Sequence, residues 1–239
     1  MSVEERGSPT VVSDRTVTAL KRVPSFSTLT KAEASDLLSM CRTVEYKKGR
    51  TIFSEGTEGN EVYLIDEGRV KITTQTPQGR TKILGILQEG DFLGEMAILD
   101  PSPRTANAFV HEDASIIVLE RKDFLSFIDE HPDVSMKIVQ SLCRRVREAN
   151  DEIRNFTFYD QPGRLAHMLR KLSEKFPGES DGESYIDLKL THQDLADMLG
   201  IARESVTKMV STLKREGAID IREHMIYIIN DDALNDWIR

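Results

Sequence analysis

Glycine residues divide one part of the chain into short segments, and this pattern constrains the fold more than any other feature. Eight of the 14 glycines fall between Gly49 and Gly94. Short strands that alternate with glycine turns are typical of a small barrel or jelly roll. We therefore predict an N-terminal β-barrel built from the β-prone runs, which are residues 51–53, 62–65, 70–74, 83–87 and 115–119.

Composition and charge narrow the class of protein. The chain has 239 residues, 30% of them charged, and no apolar run approaches the ~18 residues that a membrane helix requires. Its first residues lack the apolar core of a secretory signal, so we expect a cytoplasmic protein with no membrane partner. The two cysteines, Cys41 and Cys143, are too few for an iron–sulfur cluster. The net charge of −8 argues against a surface that coats nucleic acid but allows a local basic patch.

The run from Gly94 to Ala106 combines an acid, Glu95, with an arginine nine residues later, Arg104. A carboxylate can accept a hydrogen bond from a ribose 2′-hydroxyl, and a guanidinium can hold a phosphate with two parallel N–H donors. Backbone amides at the start of a helical turn would add to an anion site, and Gly94 would allow close approach. The alternative is a strand and an ordinary turn with both charges solvated. The whole run favours a site for a cyclic ribose phosphate.

A long helix is predicted over residues 133–157. Its apolar positions recur at spacings of 3, 4, 3, 4 and 3 residues, which is a heptad seam. The alternative is an amphipathic helix packed on its own barrel, for which a wider apolar stripe is usual. The strict spacing favours a two-stranded coiled coil and hence a homodimer. The seam residues are Val139, Leu142, Val146, Ala149, Ile153 and Phe156.

The C-terminal part carries the pattern of a helix–turn–helix. Thr191 caps a short helix that Gly200 ends, and a second helix follows over residues 203–215. The N-terminal part of such a second helix reads base edges in the major groove, where arginine and lysine donate to guanine and glutamate accepts from cytosine. The alternative is a solvated face. The side chains on that face are Arg203, Glu204, Thr207 and Lys208.

The remaining segments complete the domain organisation. Residues 1–16 are predicted to be a mobile tail, and residues 17–42 to be helical with a capping box from Thr30 to Glu33. The sequence Asp160 to Gly163 breaks the long helix and predicts a hinge. Alternating isoleucines on both sides of residues 222–224 predict a hairpin wing. The predicted divisions are therefore a tail at 1–16, a barrel domain at 17–132, a dimerisation helix at 133–159 and a winged helix–turn–helix at 160–239.

This order of elements, with the hinge motif at 158–166 and the sequence Arg-Glu-Ser-Val-Thr-Lys at 203–208, resembles the cyclic-AMP receptor protein/fumarate-nitrate regulator (CRP/FNR) family over about residues 17–230. The resemblance implies an α+β protein with a cyclic-nucleotide-binding jelly roll, and it implies double-stranded DNA and RNA polymerase as partners. It assigns ribose binding to Gly94 and Glu95, with Met96 beside them, and phosphate binding to Arg104 and Thr105. It assigns base reading to Arg203, Glu204 and Lys208, and DNA phosphate contacts to Gln193 and Ser205.

Three positions depart from the family pattern. The pair that contacts adenine in the family is usually Thr followed by Ser or Asn, and here it is Ala149-Asn150, so one hydroxyl is missing and cyclic GMP stays open as the ligand. The residue before the recognition helix is Ala202 instead of Ser, at a cost of ~1 kcal/mol in capping. Lys208 stands where Arg is common, which predicts a softer preference for guanine.

The resulting prediction is a dimeric transcription regulator that responds to cyclic AMP and binds a pseudo-palindromic DNA site with TGTGA-like arms. Two alternatives stay open: a regulator of the same fold that senses cyclic GMP, another small ligand or none, and a nucleotide-sensing subunit that acts on a protein partner. We expect no enzyme, no metal and no cofactor, because the sequence has no nucleophile–base set, no P-loop and no metal-spaced His/Cys group.

Overall fold

The computed structural model describes residues 8–180 and 182–238. These residues fall into two compact units, which divide between Val146 and Arg147. The division lies inside the long helix and not at one of the predicted domain limits, which stay predictions.

The N-terminal segment is more ordered than the sequence predicts. Ser13 and Thr16 form a reciprocal capping box that starts a helix, and Val17 on that helix is buried, so the predicted tail at residues 1–16 is wrong for residues 8–16. Residues 1–7 of that tail lie outside the described residues. The capping box between Thr30 and Glu33 is confirmed. The elements here are β1 (Ser8–Pro9), α1 (Asp14–Arg22), a 3₁₀ turn (Pro24–Phe26) and α2 (Lys31–Ser39).

An antiparallel sheet forms the centre of the first unit. Its strand order is β1-β2-β7-β4-β5, with β3 paired to β7 and β6 to β4. This places the sheet domain where the glycine pattern predicts it. The strands after β1 are β2 (Arg42–Tyr46), β3 (Thr51–Phe53), β4 (Glu61–Gln75), β5 (Thr81–Gln88), β6 (Phe92–Leu93) and β7 (Asn107–Glu120).

Two of the predicted short strands, 62–65 and 70–74, are one continuous strand, β4. The register against β7 shifts between Ile65 and Val70, where Gly68 has φ of 89°. A Cβ atom on Gly68 would lie 2.2 Å from the carbonyl oxygen of Asp113, so only glycine fits this bulge. The glycine therefore bends a strand at a point where the sequence predicts a break.

Three helices complete the first unit and lead out of it: α3 (Met96–Leu99), α4 (Arg121–Glu130) and α5 (Pro132–Phe158). Phe124 and Phe127 of α4 and Val134 and Ile138 of α5 are buried in the apolar core that also contains α1 and α2. Leu142 packs against this same core. The first turns of α5 are thus fixed to the sheet domain of their own chain.

The second unit contains a winged helix–turn–helix. Asp160 caps α6 by accepting a hydrogen bond from the amide of Gly163, and Pro162 lies in the first turn, which confirms the predicted break after α5. The elements are α6 (Gln161–Lys175), β8 (Pro177–Ser180), β9 (Glu183–Ile186), α7 (His192–Leu199), α8 (Arg203–Arg215), β10 (Ile219–Arg222), β11 (Met225–Ile228) and α9 (Asp231–Asn235).

The polar run at residues 177–180 forms strand β8. Its partner β9 pairs in turn with β11, and the rings of Tyr185 and Tyr227 pack 5.2 Å apart across that pair. Strand β9 ends at Ile186, before Leu188 and Leu190. The wing therefore belongs to an antiparallel sheet with the order β10-β11-β9-β8.

Within residues 8–180 and 182–238, no helix has both the length and the apolar character that crossing a membrane requires.

Candidate functional site

The run from Gly94 to Ala106, which we call the cassette, begins at a backbone turn that requires glycine. Gly94 has φ of +85°, and a Cβ atom there would lie 2.6 Å from Nη1 of Arg104 and 3.1 Å from the ring of Tyr63. L-residues with a side chain rarely adopt this left-handed conformation. The short helix α3 starts immediately afterwards, with Glu95 at its N-cap position. Gly94 thus lets the backbone and the arginine approach each other closely.

The carboxylate of Glu95 is buried, with 2% of the residue exposed. Its Oε1 accepts a hydrogen bond from Nη1 of Arg145 at 2.5 Å. Its Oε2 is also buried and has no hydrogen-bond partner among the described residues. Burial raises the pKa of Glu95, and the adjacent guanidinium of Arg145 opposes this rise. A buried carboxylate oxygen with a free lone pair is an acceptor for a ligand hydroxyl.

Arg104 is held by backbone carbonyl groups, and 4% of it is exposed. Nη1 donates to the carbonyl of Gly94 at 2.6 Å, and Nη2 donates to the carbonyl of Glu61 at 2.7 Å. The guanidinium lies over the ring of Phe53, with Cζ 4.4 Å from the ring centroid. Burial lowers the pKa of Arg104. These contacts fix both the position and the plane of the guanidinium.

The carboxylates nearest to Arg104 are paired with other arginines. Glu61 forms its ion pair with Arg42 at 2.5 Å, and Glu95 forms one with Arg145. The carbonyl groups that hold Arg104 carry no full charge, so the buried positive charge is not compensated by them. An anion that binds here would supply the compensation, and a phosphate has the geometry for it.

Arg145 is a site residue that sequence reasoning missed. Besides its bond to Glu95, its Nη2 donates to the carbonyl of Phe92 at 2.6 Å. The two partners lie about 50 residues from it in sequence, and no local pattern connects them. A signal was available, because Arg145 follows Ile138 and Leu142 at helical spacing and so lies on the packed face of α5. A charge on that face needs a partner.

The other predicted ligand contacts are exposed. Met96 is 47% exposed on the first turn of α3, and Thr105 is exposed next to Arg104. Ala149 and Asn150 are exposed on the part of α5 that belongs to the second unit. The first unit alone therefore brings together Gly94, Glu95, Arg104 and the additional Arg145.

The predicted dimer seam is mainly an exposed apolar face of α5. Leu142 is the exception, because it packs on the core of its own chain, as the single-helix alternative predicts for this part of α5. Ala149 is exposed. The other four members are each more than half exposed, at 51%, 60%, 64% and 58% for Val139, Val146, Ile153 and Phe156.

The helix–turn–helix follows the predicted local signals. Thr191 and Asp194 form a capping box on α7, Gly200 ends α7 with φ of 68°, and Ala202 precedes α8 without a side-chain cap. Val206 and Val210 are buried on the inner face of α8. The opposite face is exposed at Arg203, Glu204 and Lys208.

Three neighbouring polar residues differ in their availability to DNA. Thr207 donates to the carbonyl of Arg203 and contacts a ring nitrogen of His192, so its hydroxyl is occupied. Ser205 is half-buried. Gln193 is exposed, and its amide donates to Asp197 at 2.7 Å. Arg203, Glu204 and Lys208 are therefore the exposed charged side chains at the start of α8.

Models of known protein families match both the domain that contains the cassette and the helix–turn–helix. A family model described as a cyclic nucleotide-binding domain matches residues 43–131, and one described as a Crp-like helix-turn-helix domain matches residues 163–237. Together the two matches cover more than half of the chain. The chain belongs to the CRP/FNR family. As a CRP/FNR member it is a cyclic-nucleotide-binding transcription regulator and not an enzyme.

Relatives of known name extend this similarity over most of the chain. The CRP-like cAMP-activated global transcriptional regulator of Mycobacterium tuberculosis is 30% identical over 215 residues, which are 90% of this chain and 96% of that protein. The cyclic AMP receptor protein of Thermus thermophilus is 31% identical over 84% of this chain and 89% of its own. A crystal structure of a CRP/FNR regulator from Thermus thermophilus matches with a TM-score of 0.69 and 28% identity, over 82% of this chain and 98% of that one.

Proposed function

We propose that this CRP/FNR regulator binds cyclic AMP in its cassette and, in that state, binds as a homodimer to a pseudo-palindromic DNA site with TGTGA-like arms. The observation that carries the proposal is the pair formed by the unpartnered, buried Oε2 of Glu95 and the fixed guanidinium of Arg104. The first suits a ribose 2′-hydroxyl and the second a cyclic phosphate.

The ligand contacts follow from this pair. Gly94 and Glu95 would bind the ribose, with Met96 at the edge of the site, and Arg104 and Thr105 would bind the phosphate. Arg145 would hold the Glu95 carboxylate in place through the hydrogen bond at 2.5 Å. An ionised carboxylate is a stronger acceptor than a neutral one, so this pairing also favours the ribose contact.

One observation favours a second candidate ligand, which differs from cyclic AMP in its base. Ala149 carries no hydroxyl where the family usually has one, and Asn150 is an exposed amide that can both donate and accept. An amide can pair with the edge of adenine or of guanine. Cyclic AMP is the first candidate because relatives over 84–90% of the chain are named for it, and cyclic GMP is the second.

The DNA contacts and the dimer complete the proposal. Arg203, Glu204 and Lys208 would read bases, and Gln193 and Ser205 would contact DNA phosphates. The exposed apolar face of α5 would pair with the same face of a second copy, which would place two recognition helices about 34 Å apart on one side of the DNA. RNA polymerase is the expected further partner of the DNA-bound dimer.

Calorimetric titration with cyclic AMP and cyclic GMP tests the ligand site directly. We expect Arg104→Ala to weaken nucleotide binding at least about 100-fold, since it removes charge-assisted hydrogen bonds worth ~1.5–3 kcal/mol each. Arg80→Ala, in the exposed turn between β4 and β5, is the matched control and should bind as the wild type does. Equal affinity of the Arg104→Ala variant and the wild type would overturn the assignment of the cassette.

A further inference from the structure

The side chain of Arg164 connects the end of the long helix to the helix–turn–helix within the second unit. Its Cζ atom lies 3.7 Å from the centroid of the Phe156 ring, in the last turn of α5. Its Nη2 donates to the carbonyl of Leu199 at 2.5 Å. Leu199 is the last residue of α7. One guanidinium therefore contacts both the long helix and the start of the turn that leads to α8.

The carbonyl group of Leu199 is a favourable acceptor for a basic side chain. The last carbonyl groups of a helix have no partner within the helix, and a basic side chain that binds them also interacts favourably with the helix dipole. Gly200 then reverses the backbone with φ of 68°, and α8 begins at Arg203. The bond to Leu199 thus attaches Arg164 to the turn that leads to the recognition helix.

Phe156 is the residue of the long helix that the Arg164 side chain contacts. It is 58% exposed and lies on the apolar face of α5 that we assign to the dimer. In a dimer its ring would contact the partner helix on one side and Arg164 on the other. A change in the packing of that face would move the ring, and the guanidinium would either follow the ring or lose contact with it.

We propose that Arg164 is a positioning residue that transmits the packing of the α5 seam to the recognition helix α8. This inference rests on the proposed function, because it concerns how nucleotide binding alters DNA binding. Arginine suits the role, since its planar guanidinium can stack on a ring while it donates within its own plane. Lysine, a compact point charge, cannot make both contacts with the same geometry.

The test measures the ratio of the DNA dissociation constants without and with saturating cyclic AMP, for the full-length protein on a labelled palindrome with TGTGA arms. We expect Arg164→Lys and Phe156→Leu each to reduce this ratio about two- to fivefold, the factor that corresponds to one exposed cation–π contact. The double variant should reduce the ratio no further than the single variants do. Phe158→Leu is the control, because this ring is 75% exposed on the same turn, and it should keep the wild-type ratio.

Several outcomes would overturn the inference. One is a wild-type ratio in both single variants, and another is a pair of reductions that multiply in the double variant. A third is weaker DNA binding by the same factor with and without nucleotide, which would indicate a structural role only. Thermal unfolding identifies a variant that has lost its fold. In that case the ratio measured for the other single variant decides whether the inference holds. A wild type that does not respond to nucleotide contradicts the proposed function itself, and with it this inference.

Discussion

Substitution of Gly94 by alanine tests most directly how this glycine controls the position of Arg104. Gly94 and Gly90 both have left-handed backbones, with φ of 85° and 83°. A Cβ atom at position 90 meets nothing within 4 Å, whereas one at position 94 meets Nη1 of Arg104 at 2.6 Å. The two substitutions therefore share the backbone penalty of ~1–2 kcal/mol and differ in the displacement of the guanidinium.

The expected magnitudes follow from this difference. Gly90→Ala should lower the free energy of unfolding by ~1–2 kcal/mol. Gly94→Ala should lower it by more, because its Cβ atom also meets Nη1 of Arg104 at 2.6 Å and the ring of Tyr63 at 3.1 Å. Only Gly94→Ala should displace Arg104 and lose a charge-assisted hydrogen bond to the ligand, which is worth ~1.5–3 kcal/mol, or about a tenfold to a hundredfold loss of affinity. Urea unfolding measures the first quantity, and calorimetric titration with cyclic AMP measures the second. Equal nucleotide affinity of the two variants would refute the assigned role of Arg104.

Three further predictions concern the rest of the molecule. Glu204→Ala should relax base preference at one position of each half-site by ~1–3 kcal/mol, and a selection from randomised sites that returns the wild-type consensus would count against α8 as the reading helix. Val146→Glu should convert a dimer to a monomer in sedimentation velocity, whereas a wild type that is already monomeric would refute the seam. Lys214 and then Arg222 hold the pKa of Asp220 at about 2, below its usual 3.8, so its contribution to stability is present above pH 3.8 and lost as the pH falls through about 2. Acid unfolding of Asp220→Asn should lack this loss, and since the carboxylate is only half-buried, added salt should reduce the difference.

The features that sequence reasoning predicts well are those set by local chemistry. The capping boxes at Thr30 and Thr191 and the left-handed cap at Gly200 depend on residues within a few positions of one another. The hairpin at residues 219–228 depends on a short alternating pattern and a tight turn. Each of these motifs satisfies backbone groups with nearby side chains or turns, so the sequence alone specifies it.

The features that sequence reasoning misses depend on partners that lie far away along the chain. Strand β1 exists because Ser8 and Pro9 pair with β2, and strand β8 exists because β9 is itself held by β11. The role of Arg145 depends on Glu95, and that of Leu142 on a core built from α1, α2 and α4. Helical spacing can place a residue such as Arg145 on a packed face, but no spacing along the chain identifies its partner, because such contacts form only when the elements pack.

The central claim is that a nucleotide in the cassette controls DNA binding. Fluorescence anisotropy of the full-length protein on a labelled TGTGA palindrome, without ligand and with cyclic AMP or cyclic GMP, tests it most directly. The account predicts that cyclic AMP tightens binding and that Arg104→Ala abolishes the effect. Equal binding under all conditions, or no retention of this DNA or of any genomic fragment, would contradict it, and the second result would favour a protein partner for the C-terminal unit.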